Sequence, residues 1–322
     1  MSEFLEPFDR MLEALCDPAA VRAVEAGKPI AAMWQGVAES GFLDALVPAD
    51  HGGAGLSLAD VHPLWQALGR RAVPLPVGDT MIARRLLAVA GAACPEGPIA
   101  IAEIVAAETV LCFGGVATHA LVETEGRLHL VALGTLAPTG IEGNTAARFR
   151  RDMLTGDGIA PAPAGGLRAL AALLRASLIA GAADRLMAMT VAYANERTQF
   201  GKPIGRQQAL QQNLAVMTED AVAVRIASQL GCAGAFPPSL AAAATAKSVA
   251  SAAAVRIAAT AHAVHGAIGI SAEHDLQLFT RRLQEWRLAD GSESYWNRKL
   301  GALRLAAAAS SMDFIRTDMA AL

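Results

Sequence analysis

The sequence predicts a mainly α-helical protein with a small β region in its middle. Three observations carry that expectation. Apolar residues make up 53% of the 322 residues and aromatic residues only 5%. Alanine and leucine dominate, which favours packed helices over sandwiches built from aromatic and β-branched strands. Apolar residues recur at three- and four-residue spacing towards both ends of the chain, and short β-prone runs between glycine-rich turns occupy the centre.

Residues 1–93 read as helices joined by loops. Leu5, Phe8, Leu12 and Leu15 lie on one stripe, and a second helix over 29–40 stops at Gly41. The run from Val47 to Gly55 contains Pro48, Gly52, Gly53 and Gly55 and reads as a loop. Ser57 and Asp60 have the spacing of a cap for the helix that follows. In residues 94–165, the runs 109–113 and 128–133 read as strands. Gly114-Gly115, Glu125-Gly126 and Pro138-Thr139-Gly140 read as turns. Residues 166–322 are helical again. A long helix is expected over 167–198, followed by one with its core stripe at Leu210, Leu214, Met217, Ala221 and Val224. Pro237-Pro238 break the chain before an alanine-rich helix over 239–264. Residues 266–270 read as a turn, a helix follows to about 288, and the tail beyond Ser292 is helical.

Several function classes are excluded. The net charge is −3, with no basic block of the kind a nucleic-acid binder concentrates. Cys16, Cys94, Cys112 and Cys232 are far apart, with no CxxC, so neither a metal centre nor a disulfide framework is expected. The N-terminus is acidic rather than basic and does not read as a signal peptide. Arg175, Arg256 and His262 interrupt the longest apolar stretches, so no membrane span is expected. A cytoplasmic protein follows.

The most informative run is Tyr193-Ala194-Asn195-Glu196-Arg197-Thr198-Gln199-Phe200-Gly201-Lys202-Pro203-Ile204, with Gln208 after it. Physically, a helix ends near Gly201 and Pro203 prevents its continuation. Arg197 then stands beside a glycine that a ligand could approach closely; an ordinary helix end explains the same residues. The order of the residues resembles the acyl-CoA dehydrogenase family, whose members carry R-x-x-F-G-K-P-I and then a glutamine. His265-Gly266-Ala267-Ile268-Gly269, with Glu273-His274-Asp275-Leu276, is similar to that family's H-G-G-x-G…E-H-D-L run. Trp34, Gly41-Phe42, Val47-Pro48 and Gly52–Ser57 are similar to its opening domain.

The resemblance implies an N-terminal helical domain, a middle β domain and a C-terminal four-helix bundle. It implies FAD as cofactor, an acyl-CoA substrate, and a homo- or hetero-oligomer, usually a tetramer. In such enzymes a carboxylate removes a proton from Cα of the thioester while the flavin takes hydride from Cβ. It further implies that Arg197 meets the FAD diphosphate, usually that of a neighbouring subunit. Gln199 and Phe200 would lie along the cofactor, and Gln208 would bond its nucleotide part. His265 and Gly266 would shape the turn beside the adenosine half, and Ser292 would touch the flavin.

The sequence also departs from the family. The Y-E-G-T-S-E run that carries the catalytic glutamate is Leu288-Ala289-Asp290-Gly291-Ser292-Glu293 here. Asp290 takes the base position on a side chain one methylene shorter, and a cap or loop carboxylate is the competing reading. The glutamate that some members carry at the start of the long helix is absent. Arg175 is about one turn from the expected substrate-orienting arginine and is expected on the surface. Ala263 replaces a glutamine, and Ala267 replaces the second glycine of H-G-G, where a Cβ disfavours positive φ. No T-E-P-x-x-G-S-D-like run is found. Ala102-Glu103 is its nearest counterpart, and the middle region is expected to be several strands short. Three functions compete on these grounds: a catalytic subunit with Asp290 as base, a non-catalytic partner that stabilises FAD in a hetero-oligomer, and other acyl-CoA or flavin chemistry on the same scaffold, such as oxidation by O₂ or nitroalkane turnover.

Overall fold

The computed structural model describes residues 3–199 and 201–319. The first helices are α1 (Leu5–Leu15), α2 (Pro18–Glu25), α3 (Ala31–Glu39), α4 (Leu58–Arg70) and α5 (Val77–Val89). Phe8 and Leu12 of the α1 stripe are fully buried. The Ser57 side chain accepts from the Asp60 N–H, and the Asp60 carboxylate accepts from the Ser57 N–H, a reciprocal cap that starts α4. Helix α5 shows no stripe in the sequence because Val77 to Ala83 are buried all round.

The middle region carries β1 (Ile99–Glu103), β2 (Glu108–Leu111), β3 (His119–Thr124), β4 (Arg127–Ala132), β5 (Ala137–Pro138), β6 (Ala147–Arg150) and β7 (Ala160–Pro161). Seven strands thus occupy this region. Two strands were legible, whereas β5 and β7 are only two residues long, and β3 is buried on both faces. A strand buried on both faces lacks alternation and reads as a featureless apolar run. One sheet has the order β1-β3-β4-β7 and the other β2-β6-β5. Strands β1 and β3 pair in parallel with Ile101 opposite Leu121, and β3 and β4 pair antiparallel with Leu121 opposite Leu130. Ala120 and Val122 face a core with Leu111 and Phe149, while Leu121 and Leu128 join the core of the bundle.

The rest is α6 (Leu167–Glu196), a small hairpin of β8 (Thr198–Gln199) and β9 (Lys202–Pro203), α7 (Gln208–Gly231), α8 (Leu240–His265), α9 (Leu276–Leu288), α10 (Glu293–Ala306) and α11 (Ser311–Phe314). Helices α6 to α9 form the bundle, with α10 against α8. Met217, Ala221 and Val224 are buried as their spacing requires, and Leu210 and Leu214 are half-buried at the bundle end. The stretch Leu240–Ile270 is long and apolar enough to cross a membrane, but 67% of that window is buried inside the protein. The four cysteines are unpaired.

The N-terminal helices meet the bundle at two glycines. A Cβ on Gly69 would lie 2.0 Å from the Leu178 carbonyl oxygen, and one on Gly181 would lie 1.9 Å from that of Gln66. The backbones of α4 and α6 thus touch where only hydrogen fits. This crossing carries the N-terminal helices across the first half of α6, where the site lies.

Candidate active site

A cavity of about 990 Å³ opens between the β strands and the face of α8 and α9. Thr109, Cys112 and Arg148 line it from the β region, and Ala258, His262 and Glu285 from the helices. The turn Ala289–Gly291, joining α9 to α10, closes one side and presents Asp290. An ion pair between Arg168 of α6 and Glu103 of β1, at 2.6 Å, ties the two halves of the wall together.

The turn is tightly held. Asp290 has φ of 56° and Gly291 φ of 101°. A left-handed aspartate is tolerated only where its surroundings enforce it. Trp296 donates its indole N–H to the Asp290 carbonyl at 3.0 Å. Lys247, on α8 and fully buried, donates to the Trp286 and Arg287 carbonyls at 2.7 and 2.8 Å and to Ser251 Oγ at 3.0 Å. The last carbonyls of α9 lack partners in their own helix, so this ammonium caps α9 from a neighbouring helix. Burial pushes Lys247 down to about 7, against the opposing pull of Asp290.

The Asp290 carboxylate is 10% exposed, and its Oδ2 accepts from Arg175 Nε at 3.1 Å. No other donor reaches this carboxylate among the described residues. Arg175 spends its other two nitrogens on Asp79 of α5, at 2.8 and 2.6 Å, a bidentate pair. Its guanidinium also stands over the Phe113 ring, 5.5 Å from the centroid. Burial opposes the charge on Arg175, but its neighbours, Asp79 foremost and Asp290 among them, together outweigh burial and push the pKa well above its ordinary value. Burial pushes Asp290 up, Arg175 opposes, Asp79 adds to the rise and Lys247 opposes it.

The expectation that Arg175 lies on the surface is corrected: its side chain is wholly buried. The carboxylates that make burial affordable lie on α5 and beyond α9, so nothing near Arg175 in the sequence reveals them. Asp79 and Lys247 escaped sequence reasoning altogether. Asp79 left no signal. Lys247 left one: a single lysine inside an alanine-rich helix, where the neighbouring positions are core.

A second group gathers at the far end of the bundle. Arg197 ends α6 in extended conformation, its N–H bonding the Tyr193 carbonyl and its carbonyl accepting from Ile204. Its side chain is exposed and meets no carboxylate among the described residues. Gln199, in the β8–β9 hairpin, and Gln208, at the start of α7, are exposed beside it. Phe200 lies outside the described residues. His265 is buried, stacks on Tyr193 at 4.4 Å between ring centroids, and bonds the Ala261 carbonyl through Nδ1 at 2.8 Å. It therefore shapes the turn by packing. Gly266 has φ of 60°, with nothing within 4 Å of the place a Cβ would occupy. Ala267 keeps an ordinary negative φ in the 3₁₀ turn that follows, so its Cβ costs no strain there. Ser292 precedes α10 without a side-chain cap bond and is not among the residues lining the cavity. At 1.5 Å per residue, Lys247 and His265 are about 27 Å apart along α8, so the bundle end and the acidic turn are separate places.

His274 Nδ1 accepts from the Leu276 N–H, and Asp275 pairs with Arg22 at 2.7 Å. No metal-binding cluster occurs among the described residues.

Comparison with known proteins adds five findings. The family model for the acyl-CoA dehydrogenase C-terminal domain matches residues 169–305. The acyl-CoA dehydrogenase IpdE2 of Mycobacterium tuberculosis is 33% identical over 276 residues, covering 82% of this chain and 85% of that protein. Its namesake from Mycolicibacterium smegmatis is 31% identical over 280 residues, covering 84% and 88%. Among solved structures, the ChsE4-ChsE5 complex from Mycobacterium tuberculosis matches with a TM-score of 0.74 at 22% identity, over 95% of this chain and 97% of that one. The Tcur3481-Tcur3483 steroid ACAD matches with a TM-score of 0.80 at 22% identity, over 96% and 98%. At that identity the likeness shows a shared fold.

Proposed function

This chain belongs to the acyl-CoA dehydrogenase family, and from that premise we propose that it is a catalytic subunit of a hetero-oligomeric, FAD-dependent acyl-CoA dehydrogenase. Asp290 is its base. The observation that carries the reading is the Asp290 carboxylate on the cavity wall, one oxygen oriented by Arg175 and the other without a donor among the described residues.

The chemistry demands such a group. The Cα–H of a thioester is a weak acid, so the base must stand in contact with it and keep its basicity. Burial supplies the second requirement by disfavouring the charged carboxylate. Arg175 supplies the first by fixing the side chain. The size of the cavity suits a bulky acyl group, and its walls are largely apolar.

The residues present fit the nucleotide half of FAD. An exposed guanidinium without an ionic partner, two amide side chains and a glycine open on its Cβ side are gathered at the bundle end. A planar arginine fork matches a diphosphate. When bound, FAD would accept the hydride leaving Cβ. Because these groups face outward, about 27 Å from the Lys247 level of α8, they would hold a nucleotide shared with a neighbouring chain. The two-chain names of the structural neighbours support a hetero-oligomer.

The test is co-purification with the product of any dehydrogenase-like reading frame found beside its gene. A yellow complex should bleach anaerobically with a bulky acyl-CoA, and Asp290→Asn should abolish bleaching while retaining flavin. Unchanged bleaching in that variant removes Asp290 from the reaction. One observation favours a second reading, the non-catalytic partner: Asp290 is already engaged in a buried ion pair that could serve as a strut. On that reading Arg197→Ala strips flavin from the complex while Asp290→Ala leaves turnover intact.

A further inference from the structure

We propose that Asp79 is a positioning residue for Asp290 and acts through Arg175. It occupies two of the guanidinium nitrogens and balances the charge, so that Asp290 receives one hydrogen bond and remains able to take a proton. The inference rests on the reading of Asp290 as the base.

The geometry motivates it. A buried arginine facing a single carboxylate would grip it with two parallel bonds and hold it ionised. Here the bidentate grip falls on Asp79 instead, at 2.6 and 2.8 Å, and Asp290 receives only the Nε donor at 3.1 Å. Asp79 belongs to α5, in the N-terminal helices, and Arg175 to α6, so the arrangement exists only when those helices dock on the bundle. The other charged or titratable groups around the turn are accounted for. Lys247 of α8 is spent on the α9 carbonyls, Glu293 of α10 pairs with Arg287, and Glu285 of α9 pairs with Arg282. Cys112, which follows β2, faces Glu285 at 4.0 Å. Burial pushes this thiol far up, so it remains neutral. Among the described residues, Asp79 is thus the one anion set against Arg175 on the side away from the cavity.

The sign of each perturbation follows. Asp79→Asn frees the full charge of Arg175 to act on Asp290, whose titration moves to lower pH. Arg175→Gln removes the cation and leaves the anion, and titration moves to higher pH. An opposite charge at this range is worth about 1–3 pH units, so a displacement of roughly one unit or more is expected each way. A purely structural role for the pair would instead send both variants in one direction.

The experiment uses the full chain with ¹³C-labelled aspartate. The Cγ resonance of Asp290 is assigned by its loss in Asp290→Asn and followed against pH. The expected order of midpoints is Asp79→Asn below wild type, wild type below the double variant Asp79→Asn/Arg175→Gln, and Arg175→Gln highest. The double variant removes both members of the Arg175–Asp79 pair together and secures the comparison should Asp79→Asn fail to fold. Midpoints within about 0.3 pH unit of wild type, or displacements of the same sign in both single variants, overturn the inference. Turnover by Asp290→Asn would refute the proposed function instead, and would leave the order of midpoints untouched.

Discussion

Replacing Lys247 with methionine separates the electrostatic role of this side chain from its packing. The native ammonium is fully buried, and burial brings its pKa down from 10.5 to about 7. In the unfolded chain it returns to the ordinary value. Between those two values the unfolded chain holds a proton that the folded chain does not, so stability rises with pH across the window. The slope approaches about 1.4 kcal/mol per pH unit. Integrated from pH 7, where the native lysine is half-protonated, to pH 9, wild type should gain about 2 kcal/mol relative to Lys247→Met. The variant also loses the hydrogen bonds to Trp286 and Arg287, at about 1 kcal/mol each, and that offset is nearly independent of pH. Urea unfolding of both proteins at pH 7, 8 and 9 reads the difference directly. Stability differences that remain constant within about 0.5 kcal/mol across the three values would refute the buried-ammonium account.

Three further outcomes follow from packing and charge. Gly181→Ala should destabilise the protein by about 3 kcal/mol or more, because its Cβ would collide with the Gln66 carbonyl at 1.9 Å. Gly301→Ala, in an open position of α10, should stabilise by about 0.5–1 kcal/mol, and urea midpoints compare the two. Glu25→Gln should cost about 2–4 kcal/mol, since Glu25 of α2 pairs with Arg281 at 2.6 Å and with the buried Arg282 at 3.0 Å. A loss below about 0.5 kcal/mol in thermal unfolding would show that Glu285 alone satisfies Arg282.

The helical parts of the fold were legible because their signals are local. The cap at Ser57 and Asp60, the stop at Pro237-Pro238 and the stripe through Met217, Ala221 and Val224 each depend on residues within a turn or two of one another. The strands were harder. In β1 and β3 both faces are buried, which erases the alternation that marks a half-exposed strand, and β5 and β7 are too short to carry a pattern. The bundle-end group was readable for the same local reason: Arg197, Gln199 and Gln208 surround one helix end and one hairpin.

The cluster around Asp290 was not readable, and Arg175 shows why. Within the sequence it is one arginine among alanines and leucines, and the cost of burying it argues for the surface. The tertiary structure reverses that argument by bringing Asp79 from 96 positions earlier and Asp290 from 115 positions later onto one guanidinium. Composition, periodicity and capping residues determined the helices and their order. Which buried charges meet, and what basicity they leave to Asp290, was decided only when α5, α6, α8 and the turn after α9 packed together. Coulombic interaction depends on distance in space, and distance along the chain does not predict it.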